Sequence, residues 1–288
     1  AVSDGVRQIL DYYLIAEALD EEKPLKMMVR GDSPRPRFAL EAASKRGLEL
    51  YYLPHSITCG YEVLPAQLDT TQFMPGPYEV EHLQRSPLKD CLPNLTPTGR
   101  PINEEYRNSL RQNQLSDTEP LTILIATQPF DDNIRECFVR TVIDSIDNIP
   151  MECEIIIKNH PAEDPRYYER LMSELNSNQN ISTRSGSIEE YLGKADLTVT
   201  INSNVGFESI ITGTPVISYN NWGVSVTIFP YMMDDSIPVL KNKKDLCEIM
   251  SSITYEKLHN MIEDQTRFVE SGYYFDGATE RVRTQLER

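Results

Sequence analysis

Between residues 121 and 242 short apolar runs alternate with longer amphipathic stretches, and this alternation narrows the possible folds more than any other feature of the chain. The runs are "LTILIATQP" (121–129), "CEIIIKNHP" (153–161), "NISTRSG" (180–186), "DLTVTINSN" (196–204), "TPVISYN" (214–220) and "SIPVLKN" (236–242). Helix-length stretches at 132–147, 165–176, 187–194 and 205–212 separate the first five. Continuous β-branched runs suit strands buried on both faces, and crossovers of roughly a dozen residues join parallel rather than antiparallel strands. The expectation is a parallel α/β sheet with helices on both sides.

The first hundred residues are less regular. "LKMMVRGDS" (25–33), an amphipathic "RFALEAASKRG" (37–47) closed by glycine, and "LELYYLPHS" (48–56) read as one strand, helix, strand unit. After it, "TTQFMPGPY" (70–78), "HLQRSPL" and "NLTPTGRPINEEYRNSLR" (94–111) are apolar pieces interrupted by proline and glycine. The polar stretch "NSLRQNQLSDTEP" (108–120) has the composition of a linker. Two domains are therefore expected, 1–112 and 113–288, the first short or truncated with only two convincing strands. The last segment, 243–288, reads as helical with a break near "SGYYFDGAT".

Composition agrees with two ordinary cores: 288 residues, 40% hydrophobic and 25% charged. No apolar run reaches bilayer length, and "AVSDGVRQIL" has no basic region followed by an apolar stretch. The expectation is a cytoplasmic protein, free or at the inner face of the membrane. The five cysteines, Cys59, Cys91, Cys137, Cys153 and Cys247, are odd in number and form no CxxC pair, so free thiols are expected. A net charge of −16 argues against nucleic acid as a partner, since that binding relies on basic patches. A small anionic ligand stays open, because salt screens distant charge over roughly 10 Å.

Three motifs fall at the carboxyl ends of expected strands, where open α/β sheets hold ligands. In "ATQPFDDN" (126–133), Thr127 and Gln128 precede a helix whose first turn carries Asp131 and Asp132, read as caps. In "KNHP" (158–161), His160 can donate to a phosphate or sugar hydroxyl and Lys158 can supply charge, with Pro161 fixing the turn. In "TINSNVGFESIITGTPVI" (200–217), Asn202, Ser203 and Asn204 cap a short helix whose N-terminus suits a phosphate. Gly206 permits close backbone approach, and Glu208 either accepts from ribose hydroxyls or complements the helix dipole.

Together "IKNHP", "SIEEYLGKADLTVTINSNVGFESIITGTPVI" and "ALEAASKRGLELYYLPHS" resemble the GT-B glycosyltransferases of bacterial surface-polysaccharide assembly. Among these, the capsule and lipopolysaccharide enzymes, including the Kdo and sialic acid transferases and the CDP-glycerol glycerophosphotransferases, are nearest. The resemblance covers roughly residues 27–57 and 121–220. It implies two Rossmann-type domains facing a cleft, the second binding the nucleotide of an activated donor, CMP- or UDP-linked.

Carried over residue by residue, it places His160, Pro161, Ser203, Asn204 and Glu208 at the donor nucleotide, where the reading of the motifs themselves adds Gln128, Lys158 and Gly206. It makes His55 a catalytic candidate, although Ser56 stands where the family has glycine. An imidazole near neutral pKa suits a general base, and Asp32 in "VRGDSPRPR" competes for that role. Arg35 and Arg37 either bind an anionic acceptor or flank a helix start.

The implied partners are a nucleotide-activated sugar donor, a glycan or lipid-linked glycan acceptor, and peripheral assembly proteins at the membrane. No cofactor beyond the nucleotide-sugar co-substrate and no metal is implied, the acidic pair in "MMDDS" (232–236) being read as exposed loop. Two other functions share the fold: a UDP-GlcNAc 2-epimerase, and a non-catalytic nucleotide- or glycan-binding module.

Overall fold

The computed structural model describes residues 4–31, 34–54, 68–87, 89–103, 119–174, 179–222 and 229–288. The chain divides into two compact units, one of residues 1–104 with 272–288, the other of residues 105–271.

The first unit runs α1 (Asp4–Glu22), β1 (Lys26–Arg30), α2 (Pro34–Ser44), β2 (Glu49–Leu53), β3 (Thr70–Met74), α3 (Pro77–Arg85) and β4 (Asn94–Pro97). Its four strands are all parallel, in the order β1-β2-β3-β4. Two of them, β3 and β4, go beyond the two convincing strands of the sequence reading. The reason lies in their composition. Thr70 and Gln72 of β3 are polar yet buried, which hides the apolar signal, and Pro97 is tolerated because β4 lies at a sheet edge.

The second unit runs β5 (Leu121–Ala126), α4 (Asp132–Ile146), β6 (Cys153–Lys158), α5 (Pro165–Ser173), β7 (Asn180–Arg184), α6 (Glu189–Leu192), β8 (Leu197–Thr200), α7 (Asn204–Ile211), β9 (Val216–Tyr219), β10 (Val239–Leu240), α8 (Lys243–Ser251) and α9 (Tyr255–Gly272). The six strands are parallel in the order β10-β9-β8-β5-β6-β7. The chain steps from β5 through β6 to β7, then returns to the other side of β5 at β8. That reversal is a topological switch point.

Alternation along the strands assigns the two faces. Ile123, Ile125, Ile155 and Ile157 join the large core with Phe138 and Val142 of α4 and Leu246 of α8. Leu124 and Ile156 point the other way, to Leu192, Ala195 and Val205. The helix starts are specified locally: Asp164 accepts from the Arg166 amide ahead of Pro165, and Asn242 accepts from the Asp245 amide at 2.9 Å. At the far end of α7, Gly213 takes φ +84°, a left-handed conformation that turns the chain into β9.

The last helix, α10 (Ala278–Glu287), belongs to the first unit, so the single boundary at 112/113 does not describe the C-terminus. In β2, Leu50 and Tyr52 face Leu40 and Ala43 of α2, whereas Tyr51 packs with Phe73, Val282 and Leu286. Lys26 Nζ donates to the Leu286 carbonyl at 2.9 Å, and Arg281 Nε to the Thr98 carbonyl at 2.7 Å. A contact between Tyr51 and Val282 is invisible to any local pattern. Among the described residues no helix is long and apolar enough to cross a membrane.

Candidate functional site

The carboxyl ends of β5, β6 and β8 lie side by side at the switch point, and side chains tie them together. The Thr127 amide, just past β5, donates to the Lys158 carbonyl at the end of β6 at 3.1 Å, and the Thr127 hydroxyl goes to Glu163 beyond it. Gln128 spans to the other neighbour: its Nε2 donates to the Asn202 carbonyl at 2.9 Å and its Oε1 accepts from the Asn202 amide at 2.9 Å. This two-point pairing extends the β5–β8 ladder by one side chain. Gln128 therefore sits at the site as a strut between strands.

The "KNHP" turn is built around a residue the sequence reading passed over, Glu163. Its side chain is 1% exposed, and a carboxylate so buried requires strong donors. Oε2 accepts from Thr127 Oγ1 at 2.5 Å and from the His160 amide at 2.7 Å. Oε1 accepts from the Tyr168 hydroxyl at 2.6 Å and from Arg135 Nη1 at 3.2 Å. Burial works against the charge of Arg135, but Asp132 and Glu163 more than offset it and raise its pKa. Its guanidinium also lies 4.2 Å from the Tyr167 ring centroid. A trace of Glu163 was present in the sequence: in "HPAEDP" it stands beside a cap, Asp164, that already serves the helix N-terminus.

His160 and Pro161 are exposed on this turn. The Ala162 amide donates to His160 Nδ1 at 3.1 Å, so Nδ1 is the acceptor and the ring proton resides on Nε2. Partial burial lowers the His160 pKa, Glu163 works in the opposite direction, and Lys158 adds to the lowering. At neutral pH the ring is an uncharged Nε2–H donor. Lys158, 5% exposed, donates from Nζ to the Asn159 carbonyl at 2.7 Å; burial lowers its pKa against the opposing pull of Glu163 and Glu189.

After β8, Ser203 is the N-cap of α7, its Oγ accepting from the Val205 amide at 3.2 Å. Asn204 opens the helix and Glu208 lies further along it, half-buried. Gly206 also has a packing role. A Cβ there would fall 2.3 Å from the Tyr231 hydroxyl, which itself donates to the Ser203 carbonyl at 2.7 Å. The glycine admits a fully buried tyrosine that braces the helix start. Asp131 occupies the N-cap of α4 without a side-chain cap bond, and Asp132 pairs with Arg135, so neither aspartate caps as expected.

Arg35 and Arg37 fall in the first turn of α2, with Arg37 exposed. Asp32, His55 and Ser56 lie outside the described residues, as does most of the 108–120 stretch.

The architecture is that of the GT-B-like enzymes: two parallel sheets flanked by helices, each of Rossmann-like type. Residues 112–228 match the model of the family described as capsule polysaccharide biosynthesis protein. Among solved structures, the chain is similar to S. aureus MnaA in complex with UDP, at 18% identity and a TM-score of 0.73 over 98% of this chain and 80% of that one. It is similar to the UDP-GlcNAc 2-epimerase from Neisseria meningitidis bound to UDP-GlcNAc, at 16% identity and 0.68 over 98% and 81%. It is also similar to Acinetobacter baumannii MurG, at 12% identity and 0.63 over 99% and 79%. At these identities the likeness is one of fold. No curated protein matches the chain.

Proposed function

We propose that this chain is a metal-independent glycosyltransferase of surface-polysaccharide assembly, moving a sugar or polyol phosphate from a CMP- or UDP-linked donor to a glycan acceptor. The observation that carries this reading is the meeting of two anion-favouring ends at one switch point. The His160 turn follows β6 and the Ser203-capped start of α7 follows β8, each tied to the end of β5 that lies between them. An uncharged Nε2–H donor and the positive end of a helix dipole suit a phosphate leaving group, which catalysis must bind as charge develops. Glu208, half-buried on α7, is the residue we assign to the ribose hydroxyls. The capsule-family match over 112–228 covers these motifs, and similar structures are described as bound to UDP and UDP-GlcNAc. His55 and Asp32 stay our candidates for the acceptor base. Membrane-associated assembly proteins and a cytoplasmic location follow from the same reading.

The test is calorimetric titration with CMP, CDP, UDP and GDP, repeated on His160→Ala, followed by turnover of the matching nucleotide sugar. Selective binding of one nucleotide, weakened about tenfold by the substitution, is the expected result. Unaltered binding in His160→Ala overturns the site assignment. The fold shared with the N. meningitidis epimerase supports a second reading, 2-epimerisation of UDP-GlcNAc. Conversion of UDP-GlcNAc to its 2-epimer in the absence of any acceptor would replace transfer with that reaction.

A further inference from the structure

Glu163 is costly to bury and has four donors drawn from four places in the chain: Thr127 after β5, Arg135 in α4, the His160 amide, and Tyr168 in α5. Core stability alone does not require such an arrangement, since replacing a buried ion pair by apolar residues is often neutral or stabilising. What the arrangement does fix is one turn. The His160 amide is held by the Glu163 carboxylate at 2.7 Å, and the Glu163 amide returns to the His160 carbonyl at 2.9 Å. With the backbone of 160–163 closed in this way, the Ala162 amide meets His160 Nδ1. We infer that Glu163 is a positioning residue: it selects the Nε2–H tautomer of His160 and fixes the direction in which that donor is presented to a nucleotide phosphate.

The binding half of this inference rests on the proposed function, whereas the tautomer half does not. The two are therefore measured separately. In protein labelled with 15N at the histidine rings, NMR reports which ring nitrogen carries the proton, and loss of one signal in His160→Ala assigns the resonance among the chain's four histidines. The wild type is expected to show Nε2 protonated and Nδ1 bare. Glu163→Ala converts this to a mixture of tautomers and weakens the nucleotide selected by calorimetry about tenfold; Glu163→Gln, which keeps an acceptor oxygen for Thr127 and the His160 amide, restores the single tautomer and most of the affinity. A residue acting only through His160 has no further effect once the imidazole is gone, so Glu163→Ala on a His160→Ala background leaves affinity where His160→Ala alone put it.

If Glu163→Ala does not fold, Thr127→Val carries the same test: a loss of about threefold in the wild-type background and none beside His160→Ala. A proton on Nδ1 in the wild type overturns the inference. So does an unchanged tautomer or affinity in Glu163→Ala, or additive losses in the double variant. The expected tautomer shift in a protein that binds none of CMP, CDP, UDP or GDP upholds the positioning role and removes the proposed function instead.

Discussion

The second unit covers both faces of its sheet with helices drawn from its own stretch of chain, whereas the first leaves one face to a helix that arrives from the opposite terminus. In the second, Ile123 and Ile157 meet α4, and Leu124 and Ile156 meet α6 and the start of α7, all within residues 105–271. In the first, Leu50 and Tyr52 meet α2 nearby in sequence, but Tyr51 and Phe73 wait for Val282 and Leu286 more than two hundred residues later. The physical difference is where doubling back occurs. A sheet wound outward from β5 in both directions lays right-handed crossovers on both faces; one that steps β1 to β4 in order lays its own crossovers on a single face. The first unit is therefore expected to depend on the integrity of the C-terminus, and the second to be self-sufficient.

Truncation before Ala278 should break this comparison most sharply. It removes the apolar cover of Tyr51 and Phe73 together with the bonds from Lys26 and Arg281, and should cost the first unit about 3 kcal/mol or more. Hydrogen exchange would show β1–β4 losing protection while β5–β8 keep theirs; equal losses in both units would end the idea of separate cover.

Gly206→Ala probes the second unit with a smaller effect. The added Cβ meets the Tyr231 hydroxyl, so a loss of about 1–3 kcal/mol in urea unfolding is expected. Partial recovery in the Gly206→Ala, Tyr231→Phe double variant would tie that loss to the hydroxyl; an undiminished loss would point to the Val216 side chain and the tyrosine ring instead.

The smallest effect compares one histidine from each unit. Partial desolvation holds both rings, His82 half-buried and His160 on its exposed turn, below the ordinary value of 6.5. As pH falls below that value the unfolded chain takes up its protons first, so stability present above it is lost through the window down to the folded pKa values. His82→Gln and His160→Gln should each flatten the decline in urea midpoint between about pH 7.5 and pH 5.5. A decline as steep as in the wild type would mean that neither ring is shielded.

The strands of the second unit were legible because each carries its signal locally. "CEIIIK" is apolar for its own length, and "NHP" ends it, whatever the rest of the chain does. The positions of His160 and Ser203 followed from the same logic, as did the Ser203 cap. Glu163 was not legible in this way, because its meaning depends on Thr127, Arg135 and Tyr168 converging from separate elements. Gln128 stood out at the end of β5, but its pairing with the Asn202 backbone depends on β8 returning beside β5. In the first unit, Gln72 and Thr70 hid β3 because a polar residue in a buried strand reads as a break until its neighbours are known.

By itself the sequence determined the parallel α/β character, the order of strands and helices after residue 121, and the turns that end β6 and β8. These rest on hydrophobic period, caps and turn residues, which act over a few positions. Only the tertiary structure decided which side of β5 receives β8, that α10 covers the first sheet, that Gly206 makes room for Tyr231, and that a buried glutamate holds the histidine turn. Each of those outcomes depends on residues distant in sequence, as Glu163 depends on Thr127 and Arg135, and its energy appears only when packing brings the partners out of water together.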